Sequence, residues 1–225
     1  PGRPHRWQEK GVICAMKTIV NSENLCSGIL FWLNTLTHWP ADFHNQLYSY
    51  LHQRKAQGLS EEWWAAIVDV LWNWRAIRPK SKGFIYERGK GCLHDLEQEY
   101  QLILQANGMH EPDLSEISWQ QASGLFTLST SMKGVKSPVF SSKLCHFLLP
   151  NCFPVIDHAV IGVRHSYPDY WIFCQGLWAA CTEKHELIQQ LRAAIGEPVV
   201  SHYPYATKIV ELCLIGRRIT RGDPV

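Results

Sequence analysis

Apolar residues recur at spacings of three and four along most of the chain, and two-residue alternation is nearly absent. That is the period of helices packed by one face, not of strands. An apolar run from Cys26 to Trp39 is stopped by Pro40, and a second from Ala41 carries Phe43, Leu47, Tyr50 and Leu51 and ends at Gly58. Ser60 reads as an N-cap, with Glu61 and Glu62 in the first turn where the helix dipole favours anions. The helix it starts supplies Trp63, Ile67, Val70, Leu71 and Trp74 and stops before Pro79.

Pro79 to Gly91 breaks the pattern: it is basic, contains glycines, and reads as a loop. Helices are expected over Cys92–Ala106 and Ile117–Met132, separated by an acidic loop through Pro112. Gly134 to Pro138 reads as a tight connection into a helix that ends near Leu148, with Phe140, Leu144, Phe147 and Leu148 as its stripe. Pro150 and Pro154 bracket an extended crossing, and Asp157 stands where the next helix should begin. Two further helices are expected over Asp169–Ile195 and Tyr205–Arg217, before a basic tail. The sum is an all-α chain of about ten helices around one core. A single domain of 225 residues is expected, with lobes over 24–116 and 117–217 and the N-terminal segment packed on either.

Composition changes this picture little. The hydrophobic fraction is 46% and the charged fraction 19%, which excludes a disordered chain. A net charge of +2 announces no global basic field, so a nucleic-acid partner would need a local cluster of cations. The eight cysteines are scattered without a C-x-x-C pair and mostly lie among apolar residues, so free intracellular thiols are expected. No apolar stretch approaches the roughly 18 residues of a membrane span. A cytoplasmic protein without a membrane partner, and a monomer, is the expectation.

Chemistry concentrates between Ser129 and Val163: helix, Gly-Val turn, helix, extended Phe-Pro-Val-Ile, Asp. Glycine at such a turn lets backbone N–H groups at a helix start face a phosphate with no side chain intervening. An Asp before an apolar helix is also an ordinary N-cap, and that reading of Asp157 stands beside a catalytic one. The segment resembles the helix-hairpin-helix DNA glycosylase superfamily, whose mark is a Gly-hydrophobic-Gly hairpin followed by a short Val-Asp segment. Gly134 and Val135 match the first hairpin positions, and Val155, Ile156 and Asp157 match the lead-in and the aspartate. The separation from Pro138, 157 − 138 = 19 residues, also suits that family. The chain is similar in size and motif to phage-defence glycosylases acting on glucosylated hydroxymethylcytosine.

The resemblance implies a flipped-out base and cleavage of its glycosidic bond, with Asp157 supporting the cationic sugar or activating water. It implies phosphate contacts from Gly134, Val135, Lys136 and Ser137, and double-stranded DNA carrying a damaged or modified base as partner. Two departures matter. Lys136 replaces the second hairpin glycine, and Ser137 or Pro138 stands where bifunctional members carry a Schiff-base lysine. The nearest lysine on the following helix is Lys143, at the edge of the apolar stripe. It could attack the sugar as an amine, pair with Asp157, bind phosphate or snorkel to solvent. A monofunctional enzyme is therefore expected.

Trp39, Tyr86 and Trp119 lie at segment ends or in loops and are candidates for stacking on the extruded base, although each also fits a structural role. Lys80 to Lys90 mixes cations with aromatics, as a strand-contacting loop would. No zinc-type Cys/His spacing, phosphate-binding glycine loop or serine elbow occurs. The iron–sulfur cluster of some family members needs four closely spaced C-terminal cysteines, and only Cys213 lies there, so no metal and no cofactor is expected. Two other readings stay open: a non-catalytic helix-hairpin-helix DNA-binding module, and an RNA-directed or toxin-like helical protein such as a nuclease. The lack of a metal-binding acidic cluster weighs against the latter.

Overall fold

A computed structural model describes residues 19–35, 46–56, 58–133, 136–157, 166–196 and 202–223. Among them the chain forms ten α-helices, one 3-10 turn and no strand. They are α1 (Ser22–Thr35), α2 (Gln46–Lys55), α3 (Glu61–Asn73), the turn Pro79–Ser81, α4 (Lys82–Lys90), α5 (Leu93–Ala106), α6 (Trp119–Met132), α7 (Pro138–Leu148), α8 (Tyr167–Ala180), α9 (Lys184–Ile195) and α10 (Tyr205–Thr220). No helix among the described residues is long and apolar enough to cross a membrane. Trp39, Gly134, Val135 and the helix expected directly after Asp157 lie outside the described residues.

The capping chemistry expected for α3 is present: Ser60 is extended and its side chain accepts from the Trp63 N–H. A capping box starts α6, where Ser118 accepts from Gln121 N–H and the Gln121 side chain accepts from Ser118 N–H. The buried face of α6 runs Ala122, Leu125, Phe126, Ser129 and Met132, a helical repeat that rests on α5 and α7.

Two expectations are corrected. Pro79–Gly91 is not a loop but the 3-10 turn and α4. The glycines misled the reading: Gly89 is there for packing, since a Cβ would lie 2.0 Å from the Trp64 ring. Ile85 and Gly89, one turn apart, form the face that α4 lays antiparallel on α3. Ion pairs Lys82–Asp69 and Lys90–Glu61 fix that register from either end. The span Asp169–Ile195 is likewise two helices, because Cys181 adopts extended backbone (φ −71°, ψ 122°) and α9 restarts at Lys184.

The first described helix packs most extensively on the last. A Cβ on Gly28 would lie 2.0 Å from the Leu212 carbonyl oxygen, and one on Gly216 would lie 1.8 Å from that of Asn24. Only glycine permits α1 and α10 to touch backbone to backbone here. Elsewhere α7 contacts α2, α3 and α6, and α8 reaches both α6 and α10. Every residue of α7 from Phe140 to Leu148 is buried. A helix surrounded on all sides must satisfy its polar side chains internally, which places Ser142, Lys143 and His146 in play.

Candidate active site

The segment leaving α7 turns at Cys152, where the Cys152 and Phe153 N–H groups bond to Leu149 O, and runs without helix or strand through the interior to Ile156. Its backbone polar groups are out of water and need partners. Side chains supply them one by one. Trp171 Nε1 donates to Cys152 O (2.9 Å), His146 Nδ1 to Phe153 O (2.8 Å), Tyr167 Oη to Pro154 O (2.8 Å) and Tyr170 Oη to Val155 O (3.1 Å). On the other side, Ile156 N–H donates to Ser142 Oγ at 3.3 Å, beside Lys143 on α7.

Three of the four donors, two phenols and an indole, carry no charge. A carbonyl can only accept, so a neutral His146 carries its proton on Nδ1, and Nε2 accepts from the Tyr48 hydroxyl at 2.7 Å. Burial pushes the Tyr167 and Tyr170 phenols well above their usual range, so both stay protonated donors. Tyr167 is braced by Phe126, stacked at 4.3 Å between centroids, and by the edge of Trp119 at 5.8 Å. Asp157 follows the last clamped residue and is half-buried. Its backbone approach is thereby fixed while its carboxylate sits between core and surface.

Lys143 does not snorkel. It is 3% exposed, and its ammonium donates to the Trp74 carbonyl at 2.8 Å while lying 5.6 Å from the centre of the Trp74 ring. The stem therefore runs inward, not along the edge of a stripe to solvent. A second buried ammonium, Lys208 on α10, lies 5.5 Å from the same indole and within cation–π reach of Trp32 and Tyr48. Glu211 stands 3.5 Å from it.

The residues after α3 form a second built feature. Ala76 N–H bonds to Leu71 O and Arg75 N–H to Trp72 O, both at 2.9 Å, the paired closure of a Schellman motif. Its left-handed position, normally glycine, is Arg75 at φ +55°. Two lysines clamp this turn: Lys143, on α7, at Trp74 O, and Lys133, at the end of α6, at Ala76 O (2.9 Å). Burial, and then the Arg78 charge, hold the Lys133 amine below the usual lysine value. Lys133 also donates to Ser137 Oγ, which caps α7 by accepting from Phe140 N–H. Arg75, Arg78 and Lys136 are all exposed. Trp72, Asn73, Arg75, Ile77 and Arg78 line an open hollow of about 450 Å³.

The structure thus places Lys136 and Ser137 at the start of α7 and Lys143 within it, and ties the lead-in to Asp157 to α7 through Ser142. Tyr86 lies elsewhere, half-buried on α4, with its carbonyl accepting from Trp64 Nε1. Trp119 opens α6, half-buried, with Phe126, Tyr167 and Trp171 around it. Sequence reasoning did not single out Ser142, Tyr167, Tyr170, Trp171 or Lys208, whose spacing is that of ordinary core or helix surface. Arg75 and Arg78 carried a signal, a basic Trp-Arg-Ala-Ile-Arg-Pro-Lys run directly after a helix end.

No family model matches the chain, and no curated protein or solved structure matches it significantly.

Proposed function

We propose that the chain is a helix-hairpin-helix-type DNA glycosylase that releases a damaged or modified base from double-stranded DNA, with Asp157 as its central carboxylate. The observation that carries this reading is the clamped crossing: four consecutive carbonyls and one N–H are spent on fixing the residue before a half-buried aspartate. A helix cap needs no such scaffold, whereas a carboxylate that must meet a developing sugar cation does.

In this mechanism Lys136, Ser137 and the start of α7 hold a phosphate, and the cations Arg75 and Arg78 on the clamped turn hold the strand beside it. The base leaves the stack, and Asp157 faces C1′ of its deoxyribose. As the glycosidic bond lengthens, positive charge gathers on the sugar and the carboxylate stabilises it, directing water to the opened face. Lys143, its ammonium engaged by the Trp74 carbonyl, serves as a strut between hairpin and turn, so base release without strand cleavage follows. The expected lobes, 24–116 and 117–217, would form the walls of the cleft. A cytosine carrying a phage-type hypermodification and an oxidised purine are the substrates to try first. The enzyme acts without a cofactor, as a cytoplasmic monomer.

The test is incubation with duplexes bearing phage-type or damaged bases, with mass spectrometry of released bases. Asp157→Asn keeps the cap but not the charge, so release should fall on the order of 100- to 1,000-fold with the melting temperature retained. Full activity in Asp157→Asn, or no release by the wild type from any such duplex, would leave the non-catalytic DNA-binding reading. A borohydride-trapped adduct lost in Lys143→Met would overturn the strut role.

A further inference from the structure

Tyr48, His52 and Lys55 stand four and then three residues apart, so α2 presents them in one stripe. Each meets a different part of the body. The Tyr48 hydroxyl reaches His146 Nε2 on α7, and its ring packs edge-on against Tyr203, centroids 5.4 Å apart. The His52 ring lies flat on that of His202, just before α10, with 3.8 Å between centroids and 13° between planes. Lys55 donates to Leu148 O and pairs with Glu111 in the loop after α5. Of these fastenings, the histidine pair is the one built from side chains that change charge between about pH 5 and 8.

The surroundings admit the two rings as neutral groups but not as a pair of cations. Neutral imidazoles stack as aromatic surfaces, and a single proton leaves one charged ring on one π face, which is attractive. A second proton puts two like charges at the stacking distance, where they repel. The charged and titratable groups facing His202 are His52 and Lys55 from α2 and Glu111 from the loop after α5. Glu111 is already committed, since its Oε1 takes both the Lys55 ammonium and the Tyr100 hydroxyl. Of the other cations near α2, Arg54 lies over Tyr50 and Lys208 over Tyr48, the latter paired with Glu211. One carboxylate would then face three cations. His202 Nε2 is also buried with no hydrogen-bond partner among the described residues. A charged imidazole carries N–H on both nitrogens, so protonation would bury an unpaired donor there.

Burial first, and then His52, lower the proton affinity of His202; Lys55 acts the same way, while the Tyr48 backbone and Glu111 oppose. A base that is harder to charge in the folded state supports the fold above the ordinary histidine value of about 6.5. That support fades as pH falls below this value and is gone below the lowered folded one.

We propose that the His52–His202 stack is a proton-sensitive latch, closed while at most one ring is charged and opened when both are. Opening frees the last turns of α2 from the segment before α10. Because Tyr48 shares the stripe, the same motion draws its hydroxyl away from His146, which binds Phe153 O in the crossing. The latch stands without the glycosylase reading; only its consequence, weaker base release in acid, rests on it.

The test is hydrogen–deuterium exchange of the full chain at about pH 7.5 and about pH 5, corrected for intrinsic exchange and read by mass spectrometry. Protection of α2 should fall about tenfold or more at the lower pH, a small part of what two like charges at this separation supply. α6 should keep its protection. His52→Phe and His202→Phe each retain a ring in the stack but leave only one that can charge. In both variants α2 should match wild type at the higher pH and stay equally protected at the lower. His52 is an exposed position, which makes its variant the safer of the two for folding. Wild-type α2 with the same protection at both pH values overturns the proposal, as does an acid loss that persists in both variants. Base release measured on the same samples separates the two readings. If α2 opens in acid and no base is released at either pH, the glycosylase reading falls alone. If bases are released while α2 stays protected throughout, the latch falls alone.

Discussion

Two non-helical stretches, Cys152–Ile156 and Trp74–Ala76, pass through the body of this helical protein, and they are held by opposite means. The first has its carbonyls bound by two tyrosines, a tryptophan and a histidine, and ends on a carboxylate. The second has its carbonyls bound by two lysine ammoniums and delivers arginines. The proposed function gives this difference a reason. On the glycosylase reading, phenol and indole donors hold the backbone before Asp157 without adding charge of their own. Beneath a turn that holds phosphate on the same reading, extra positive charge adds to attraction for the strand.

The sharpest way to break the first arrangement is His146→Phe. The ring fits sterically, but Phe153 O loses its donor and the Tyr48 hydroxyl its acceptor in a site with no exposure. Each loss in the interior costs about 1–3 kcal/mol, so urea denaturation should show about 2–4 kcal/mol of destabilisation. If the crossing aims Asp157 as the glycosylase reading has it, base release should fall further than the folded fraction does. A variant that unfolds more easily yet excises at the wild-type rate per folded molecule would show that the carbonyl ladder serves stability only.

Lys143→Met sharpens the second half of the comparison. It removes the donor to Trp74 O and, at the same time, the cost of burying an ammonium. These offset, so the net loss should be smaller, about 1–2 kcal/mol. Its signature lies in binding: with the strut gone the Arg75–Arg78 turn is less fixed, and duplex affinity should drop while Asp157 chemistry on bound substrate continues. Loss of chemistry with affinity intact would instead make Lys143 a participant at the sugar.

The two stretches also differ in how far the sequence exposes them. The crossing was legible as an extended segment ending on a carboxylate, because Pro150, Pro154 and the apolar Val155 and Ile156 leave few alternatives. What holds it was not, since Tyr167, Tyr170 and Trp171 on α8 and His146 on α7 become a ladder only once α7 and α8 are in place. The helix starts at Ser60 and Ser118 were legible because a cap is a local event, confined to four residues. α4 was missed because Gly83 and Gly89 count as breakers in sequence, while Gly89 acts through Trp64, which lies far off along the chain. Lys143 looked like an edge residue because helical period fixes direction around an axis, not how many neighbours surround it.

The smallest expected effect probes the turn's own conformation. Arg75 occupies the left-handed position that glycine fills at most such helix ends, and for a residue with a Cβ that backbone costs about 1 kcal/mol. Its side chain is exposed and forms no core contact that would offset this. Arg75→Gly should therefore raise stability by up to about 1 kcal/mol, although glycine's extra freedom in the unfolded chain returns part of the gain. Binding should move the other way. Duplex affinity should weaken for all sequences alike, and the dependence of log affinity on log salt should become shallower by about one ion, the mark of one lost phosphate contact. Asp157 chemistry at saturating DNA should stay unchanged, because the crossing is clamped by different groups. A stabilised variant with an unaltered salt slope would mean that the strained arginine has no phosphate to meet. The cationic turn would then be a helix stop, and the contrast with the carboxylate crossing would reduce to one functional segment beside one structural one.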